Sequence, residues 1–356
     1  MVTKYGLSLA TLGYIKEFIV TIVTELSATL YAAWHALGTH TLGYGDCLVI
    51  VNSISTISYT LTYSTQHLME FQDNALYIEN FRKFLAHKPS IKDGATSLPD
   101  GGDLVLENVN FRYEGAKSDT LHDLSMRFGS KEKVAIVGHN GAGKSTLVKL
   151  LLRLYDADGS ITYGGVELRD LPVWDYRDIF SVVMQDYHVF ALTTAENVLL
   201  RKKREGDDAL VAKALEKSGL KPKVDGFTQG ADTVITKEFD KDGELLSGGE
   251  AQKLAISHVY AKENRFVILD EPSSALDPIA EYEMYERMMA ACEGCGMIFI
   301  SHRLSSAVMA DRIYLMEGGT VTETGTHTEL MAQNGRYAEM FRKQAENYAE
   351  VEHEKV

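Results

Sequence analysis

The sequence predicts an α/β fold of the P-loop nucleoside-triphosphatase class, preceded by an all-α partial transmembrane region of two helices. Three observations predict it. Gly138-His139-Asn140-Gly141-Ala142-Gly143-Lys144-Ser145 fits a phosphate-binding loop, with Thr146 following. Phe266-Val267-Ile268-Leu269 is a short, fully apolar run of the kind found in a covered parallel sheet, and it ends in Asp270-Glu271. Residues 1–87 instead carry two apolar runs joined by a short link.

In chain order, Phe18–Leu37 is mostly apolar over about twenty residues, near the length that spans a bilayer, with Glu25 inside it. Cys47–Leu61 is apolar but dotted with Ser, Thr and Asn52. Such runs suit helices with one polar face, lining a cavity or packed on other helices, better than lipid-exposed spans. The link Gly38–Asp46 has no Lys or Arg, whereas Lys4, Lys16, Arg82 and Lys83 lie on the other side of the runs. That asymmetry places both ends in the cytoplasm and the link outside. Hydropathy alone leaves a soluble helical hairpin as the other reading. Glu70–His87 continues as polar helix. Lys88–Asp103, with Pro89, Pro99 and Gly101-Gly102, reads as a linker. The division is therefore 1–87 as the partial membrane region, 88–103 as linker, 104–348 as nucleotide-binding domain and 349–356 as polar tail.

From Leu104 the pattern becomes α/β. Leu104–Tyr113 alternates like a strand, and Val134–Val137 before the P-loop reads as a buried strand with a helix, Thr146–Leu154, behind it. Helical patterns dominate between Tyr187 and Lys262, interrupted by the charged run Arg201–Asp208, a solvated loop. Met297–Ile300 is another covered strand. Arg312–Met316 and Thr320–Glu323 flank Gly318-Gly319 as a hairpin. A helix from Arg336 frays after Tyr348.

Composition narrows the function. Hydrophobic content of 45% and charge of 24% are ordinary for globular protein. The net charge of −14 argues against nucleic acid as a partner, because such proteins carry a basic face. Three cysteines give no disulfide framework. Cys292 and Cys295 form C-x-x-C without a second pair, so they read as a turn before the strand Met297–Ser301 rather than a zinc or redox site. No cleavable secretory signal follows Met1–Tyr5.

The motifs carry a definite chemistry. The glycines of the P-loop let backbone N–H groups point at phosphate oxygens, and the helix N-terminus adds positive potential. Lys144 reaches the β- and γ-phosphates, and the Ser145 hydroxyl holds Mg²⁺. Asp270, on a strand beside the first, supplies the oxygen that a hard cation wants. Glu271 next to it is placed to polarise the attacking water. Leu246-Ser247-Gly248-Gly249-Glu250 puts glycines before a second helix, Ala251–Tyr260, and so makes a second anion-binding N-terminus. One nucleotide needs only one such cradle.

With that second cradle the chain resembles the ATP-binding cassette (ABC) superfamily, in which this segment is the signature motif. The resemblance covers about Leu104 to Tyr348. It implies a RecA-like core with a helical subdomain and an antiparallel β subdomain. It also implies two cassettes paired head to tail, with Ser247, Gly248 and Gly249 of one closing on the nucleotide of the other. Gly138, Asn140, Gly141, Gly143, Lys144, Ser145 and Thr146 would hold the nucleotide. Tyr113 sits where the family stacks an aromatic on adenine. Gln185 looks like the Q-loop glutamine, which contacts Mg²⁺ or the attacking water. Ser274-Ala275-Leu276-Asp277 matches the D-loop, with Asp277 at the nucleotide interface. His302 matches the switch histidine on the γ-phosphate. Thr194–Val198 resembles the exporter segment that touches the coupling helices. The implied catalytic groups are Glu271, His302 and Gln185, and the implied Mg²⁺ ligands are Ser145, Gln185 and Asp270. Departures are Glu250, where Gln is commoner, and Ser257-His258, in place of Ala-Arg.

The family's exporters fuse a six-helix membrane domain to the cassette, and the two N-terminal runs resemble its last two helices. The resemblance implies an N-terminally truncated half-transporter in the cell membrane, multi-pass, with its cassette in the cytoplasm. It would couple ATP hydrolysis, in a homodimer or heterodimer, to export of an unidentified substrate. A soluble ABC ATPase of the DNA-repair or translation kind is a rival, but the coiled coil or second cassette typical of those is missing from the pattern. A fragment that binds and hydrolyses ATP without transport is the other.

Overall fold

The computed structural model describes residues 22–272 and 278–353. The chain divides between Pro89 and Ser90 into two compact units. In the first, residues 22–33 are helical and run into a π-helical turn, Trp34–Gly38. After a short link, Asp46 accepts from the Gly43 N–H at 3.0 Å and opens a single helix of 43 residues, Tyr44–Ala86. The two helices meet on small side chains. Ala28, Ala32 and Ser58 are buried, and the Cys47 thiol donates to the Ala32 carbonyl at 3.5 Å. Small residues let helix backbones approach closely. Thr29, Thr56 and Thr60 satisfy their hydroxyls on the carbonyls of Glu25, Asn52 and Thr56, four residues back. Large apolar side chains, among them Leu26, Leu30, Trp34, Tyr59 and Phe81, stand exposed on this unit.

Among the described residues, no helix is long and apolar enough to cross a membrane. In the helix Tyr44–Ala86, Ser, Thr and Asn52 interrupt the apolar run Cys47–Leu61. The predicted first run begins at Phe18, outside the described residues, as do Lys4 and Lys16.

The second unit holds two sheets. Strands β1 (Leu104–Phe111), β2 (Leu121–Phe128), β4 (Asp158–Tyr163) and β5 (Val166–Glu167) form an antiparallel sheet in the order β2-β1-β4-β5. Strands β3 (Lys133–Val137), β6 (Phe180–Val183), β7 (Phe266–Asp270), β8 (Gly296–Ile300), β9 (Arg312–Glu317) and β10 (Thr320–Gly325) form the other, in the order β10-β9-β3-β8-β7-β6. Every pairing in it is parallel except β9–β10, the hairpin about Gly318-Gly319. β7 and β8 are buried along their whole length, which is why they read as unbroken apolar runs. One core lies between the sheets, where Leu106, Leu124 and Tyr163 meet Ile136, Leu147 and Ile268. A second covers the other face of the parallel sheet, with Val267, Phe299, Tyr285 and Tyr337. A third binds the helices Thr194–Leu199, Asp208–Ser218 and Gly248–Tyr260 through Val198, Val211, Leu215 and Leu254. The α/β core, antiparallel β part and helical part are those the sequence predicts.

Residues 88–103 contain no helix or strand, yet the later part of this stretch is tied down. Asp93 Oδ1 accepts from Val173 N–H at 2.7 Å. The buried Arg153 donates to the carbonyls of Lys92 at 2.7 Å and Leu171 at 3.0 Å. Arg153 itself turns left-handed, with φ of 48°, and the P-loop helix ends before it at Leu151 rather than at the predicted Leu154. The C-terminal helix Arg336–His353 continues past Tyr348. Residues 274–277, the predicted D-loop with Asp277, lie outside the described residues.

Candidate nucleotide-binding site

β3 enters the P-loop, and the helix Lys144–Leu151 leaves it. The turn needs glycine. Gly143 caps the helix at φ 97°, where a Cβ would fall 2.6 Å from Leu121 Cδ2. At Gly138 a Cβ would run into the Met316 carbonyl. A Cβ on Gly141 would meet nothing within 4 Å, so this glycine faces the open side of the loop. Asn140 is exposed beside it. Lys144 is buried, and its ammonium donates to the Gly138 carbonyl at 2.9 Å and the His139 carbonyl at 3.1 Å. Burial holds its pKa below the usual lysine value.

The carboxylates arrive from β7. Asp270 is the last residue of the strand and is buried, and Oδ1 has no hydrogen-bond partner. The Ser145 side chain lies beside Asp270 and opposes the rise in its pKa. Burial, then the charge of Glu271, raises the Asp270 pKa; burial raises that of Glu271 too. Glu271 occupies the left-handed region at φ 50°, a strained backbone for this residue type. Its carboxylate meets His302 Nε2. His302 stands just beyond β8, and burial together with nearby Lys144 lowers its pKa.

This convergence follows from strand order. The sequence predicts the strand carrying Asp270 beside the P-loop strand, but β8 lies between β3 and β7. All three run parallel, so their C-terminal ends still deliver Lys144, His302 and Asp270-Glu271 to one edge. An unpartnered buried carboxylate oxygen beside a serine hydroxyl is an oxygen donor set that fits Mg²⁺.

Tyr113 lies just past β1. Its hydroxyl shares a hydrogen bond with Thr146 Oγ1 at 3.2 Å, which ties it to the P-loop helix. Its ring meets Phe111 edge-on at 4.9 Å and Tyr155 at 5.4 Å, and Lys149 Nζ stands 5.7 Å from its centroid. Sequence reasoning did not single out Tyr155; an aromatic just past the P-loop helix was its only signal.

Two predicted groups stand apart. Gln185 is exposed in the turn after β6 and makes no hydrogen bond or ion pair to the P-loop or to Asp270 and Glu271, among the described residues. Ser247, Gly248 and Gly249 open the helix Gly248–Tyr260 and make no hydrogen bond to the P-loop, among the described residues. Ser247 is its N-cap, with its own N–H donating to Glu250 Oε2 at 2.8 Å and its Oγ accepting from Glu250 N–H at 3.3 Å. Glu250 thus serves the capping box, and that backbone bond lowers its pKa. A Cβ on Gly248 or Gly249 would meet nothing within 4 Å, so this N-terminus faces outward. His258, further along, hydrogen-bonds the Ala255 carbonyl through Nδ1, and burial keeps its pKa low. Cys292 and Cys295 bracket the predicted turn, with Cys295 N–H donating to the Cys292 carbonyl at 3.1 Å.

Comparison with known proteins agrees with this geometry. The family described as ABC transporter matches residues 121–274. The chain is 29% identical over 343 residues to the ATP-dependent lipid A-core flippase of Salmonella paratyphi A, covering 95% of this chain and 58% of that protein. It is 30% identical over 346 residues to the flippase of the same name from Haemophilus ducreyi, covering 96% of this chain and 59% of the relative. A solved structure, a bacterial Atm1-family ABC exporter with ATP bound, superposes with a TM-score of 0.71 at 27% identity. That match covers 97% of this chain and 60% of the other. The chain therefore spans about three-fifths of the length of the relatives it matches.

Proposed function

We infer that the chain is a member of the exporter-type branch of the ABC transporter family, and that it binds and hydrolyses ATP and couples that cycle to export across a membrane. The observation that carries the chemistry is the meeting of Lys144, Asp270-Glu271 and His302 at the ends of three adjacent parallel strands.

Each residue has a task. Tyr113 stacks on adenine. The backbone of Gly138, Asn140, Gly141 and Gly143 surrounds the phosphates. Lys144 exchanges its two carbonyl partners for the β- and γ-phosphates, and Thr146 keeps Tyr113 in register with them. Ser145 and Asp270, joined by Gln185 when its loop closes, would hold Mg²⁺, which neutralises charge on the phosphate oxygens. Glu271 accepts a proton from the attacking water; burial raises its pKa, which makes it a stronger base than a solvated carboxylate. His302 contacts the γ-phosphate once Glu271 releases it.

The outward N-terminus at Ser247, Gly248 and Gly249 has no phosphate of its own chain beside it. A second cassette would bring one there, with Asp277 at the seam. The partner is an identical or a related half-transporter. The exposed apolar surface of residues 22–86 fits contact with further helices in a membrane, with the cassette on the cytoplasmic side. On this reading 1–87 is part of the membrane domain, 88–103 the linker, 104–348 the cassette and 349–356 its tail. The transported molecule is a separate question; the lipid A-core named for the flippases is one candidate to assay.

The paired arrangement is tested by light scattering of the Glu271→Gln chain in detergent. MgATP should double the particle mass relative to nucleotide-free protein, because the slow variant retains its ATP. An unchanged mass at saturating ATP would overturn the two-cassette site.

A further inference from the structure

The loop that carries His302 is held from a distant helix, and we propose that Gln344 is a positioning residue for His302. This rests on the reading of His302 as a γ-phosphate contact. Gln344 lies on the helix Arg336–His353, 42 residues further along the chain. Its carboxamide spans the loop. Nε2 donates to the His302 carbonyl at 2.7 Å, and Oε1 accepts from Leu304 N–H at 2.8 Å. One planar group thus fixes the backbone on both sides of Arg303.

The other anchors act on neighbours of His302. Ser301 Oγ accepts from Arg303 N–H at 3.0 Å, and Ser306 Oγ shares a 2.8 Å hydrogen bond with it. Arg303 pairs at 2.7 Å with Glu281, a carboxylate only 2% exposed on the helix Pro278–Ala291. Among the described residues, Gln344 is the side chain that hydrogen-bonds the backbone of residue 302 itself.

That bond matters because packing covers the imidazole only in part. The His302 side chain is 41% exposed and its polar contact is to Glu271, which must let go for catalysis. Its direction is therefore set by its backbone. A misplacement of about 1 Å at a catalytic group can cost about a hundredfold in rate. A C-terminal element far from the phosphates in sequence thereby helps to set the geometry of the hydrolytic site.

The test uses the full chain and three variants, Gln344→Leu, Gln344→Glu and His302→Ala, with two readouts. The first is amide hydrogen exchange without nucleotide. Gln344→Leu should speed exchange at Leu304 by about tenfold, the worth of one hydrogen bond. Gln344→Glu keeps the acceptor and should leave Leu304 protected. The second is steady-state ATP hydrolysis. Both Gln344 variants should lower kcat by about tenfold while KM for ATP stays within about twofold. Gln344→Leu should cost nothing more when added to His302→Ala. An unchanged kcat in the Gln344 variants with a slow His302→Ala would overturn the role of Gln344 alone. So would an equal further loss on top of His302→Ala, or unchanged exchange at Leu304. A wild-type rate in His302→Ala would remove the reading of His302 and this proposal with it.

Discussion

Replacing Tyr113 separates base recognition from phosphate recognition. The ring is held by three contacts: the 3.2 Å hydrogen bond to Thr146, Phe111 at 4.9 Å and Tyr155 at 5.4 Å. It is thus a pre-set platform that loses little freedom when a base stacks on it. Stacking is worth about 1–3 kcal/mol per base. Tyr113→Ala should therefore weaken MgATP binding by about 5- to 150-fold. Tyr113→Phe keeps the ring and its aromatic neighbours and loses only the bond to Thr146, about 0.5–1.5 kcal/mol, or at most about tenfold. Calorimetric titration with MgATP and with magnesium tripolyphosphate distinguishes the two parts. Tripolyphosphate should bind both variants as it binds the parent. An equal loss for both ligands would mean that Tyr113 acts through the P-loop helix, and ATP binding unchanged in Tyr113→Ala would refute the stacking argument.

Other perturbations test other links. Gly143→Ala places a Cβ 2.6 Å from Leu121 at φ 97°, so the loop must distort, and ATP affinity should fall at least about tenfold by the same titration; parent-like binding would show that the loop tolerates a side chain there. Asp270→Asn should raise the melting temperature of nucleotide-free protein at pH 7. The Asp270 pKa is raised on folding, so its favourable contribution is complete below the unfolded value and lost as pH rises through the folded one. The gain should therefore fade in melts near pH 4, and a gain that is the same at both pH values would contradict the burial argument. Tyr176→Phe removes a 2.6 Å bond from a fully buried hydroxyl to the Leu151 carbonyl at the end of the P-loop helix. It should cost about 1–2 kcal/mol, a shift of about 2–6 °C in the melt, and an unshifted melt would show that the carbonyl finds another donor.

The parts of this fold that were legible in sequence are those set by short-range chemistry. β7 and β8 are buried on both faces, so their runs have no polar interruption to mislead. The P-loop glycines and Lys144 are fixed by the geometry a phosphate demands. The hairpin β9–β10 announced itself through Gly318-Gly319. Helix ends were less legible. The P-loop helix stops at Leu151, Arg153 turns left-handed just beyond it, and its guanidinium reaches the carbonyls of Lys92 and Leu171, long-range bonds with no local signal. The same contact fixes residues in the stretch that Pro and Gly mark as linker. The strain at Glu271 and the meeting of Glu271 with His302 depend on two strands lying side by side, which spacing along the chain does not encode. Gln344 is a single polar residue on an amphipathic helix, indistinguishable in sequence from a solvated one. In the N-terminal unit, the hydroxyls of Thr56 and Thr60, within Cys47–Leu61, turn back onto helix carbonyls.

The most direct test of the central claim is phosphate release from MgATP by the full chain, measured beside Glu271→Gln at saturating nucleotide. The account predicts steady turnover by the parent and a rate lower by about 10²–10⁴-fold in the variant, with ATP still bound. Equal rates in the two proteins, or no turnover by the parent, would contradict the assignment of this site as an ATP-hydrolysing cassette with Glu271 as its base.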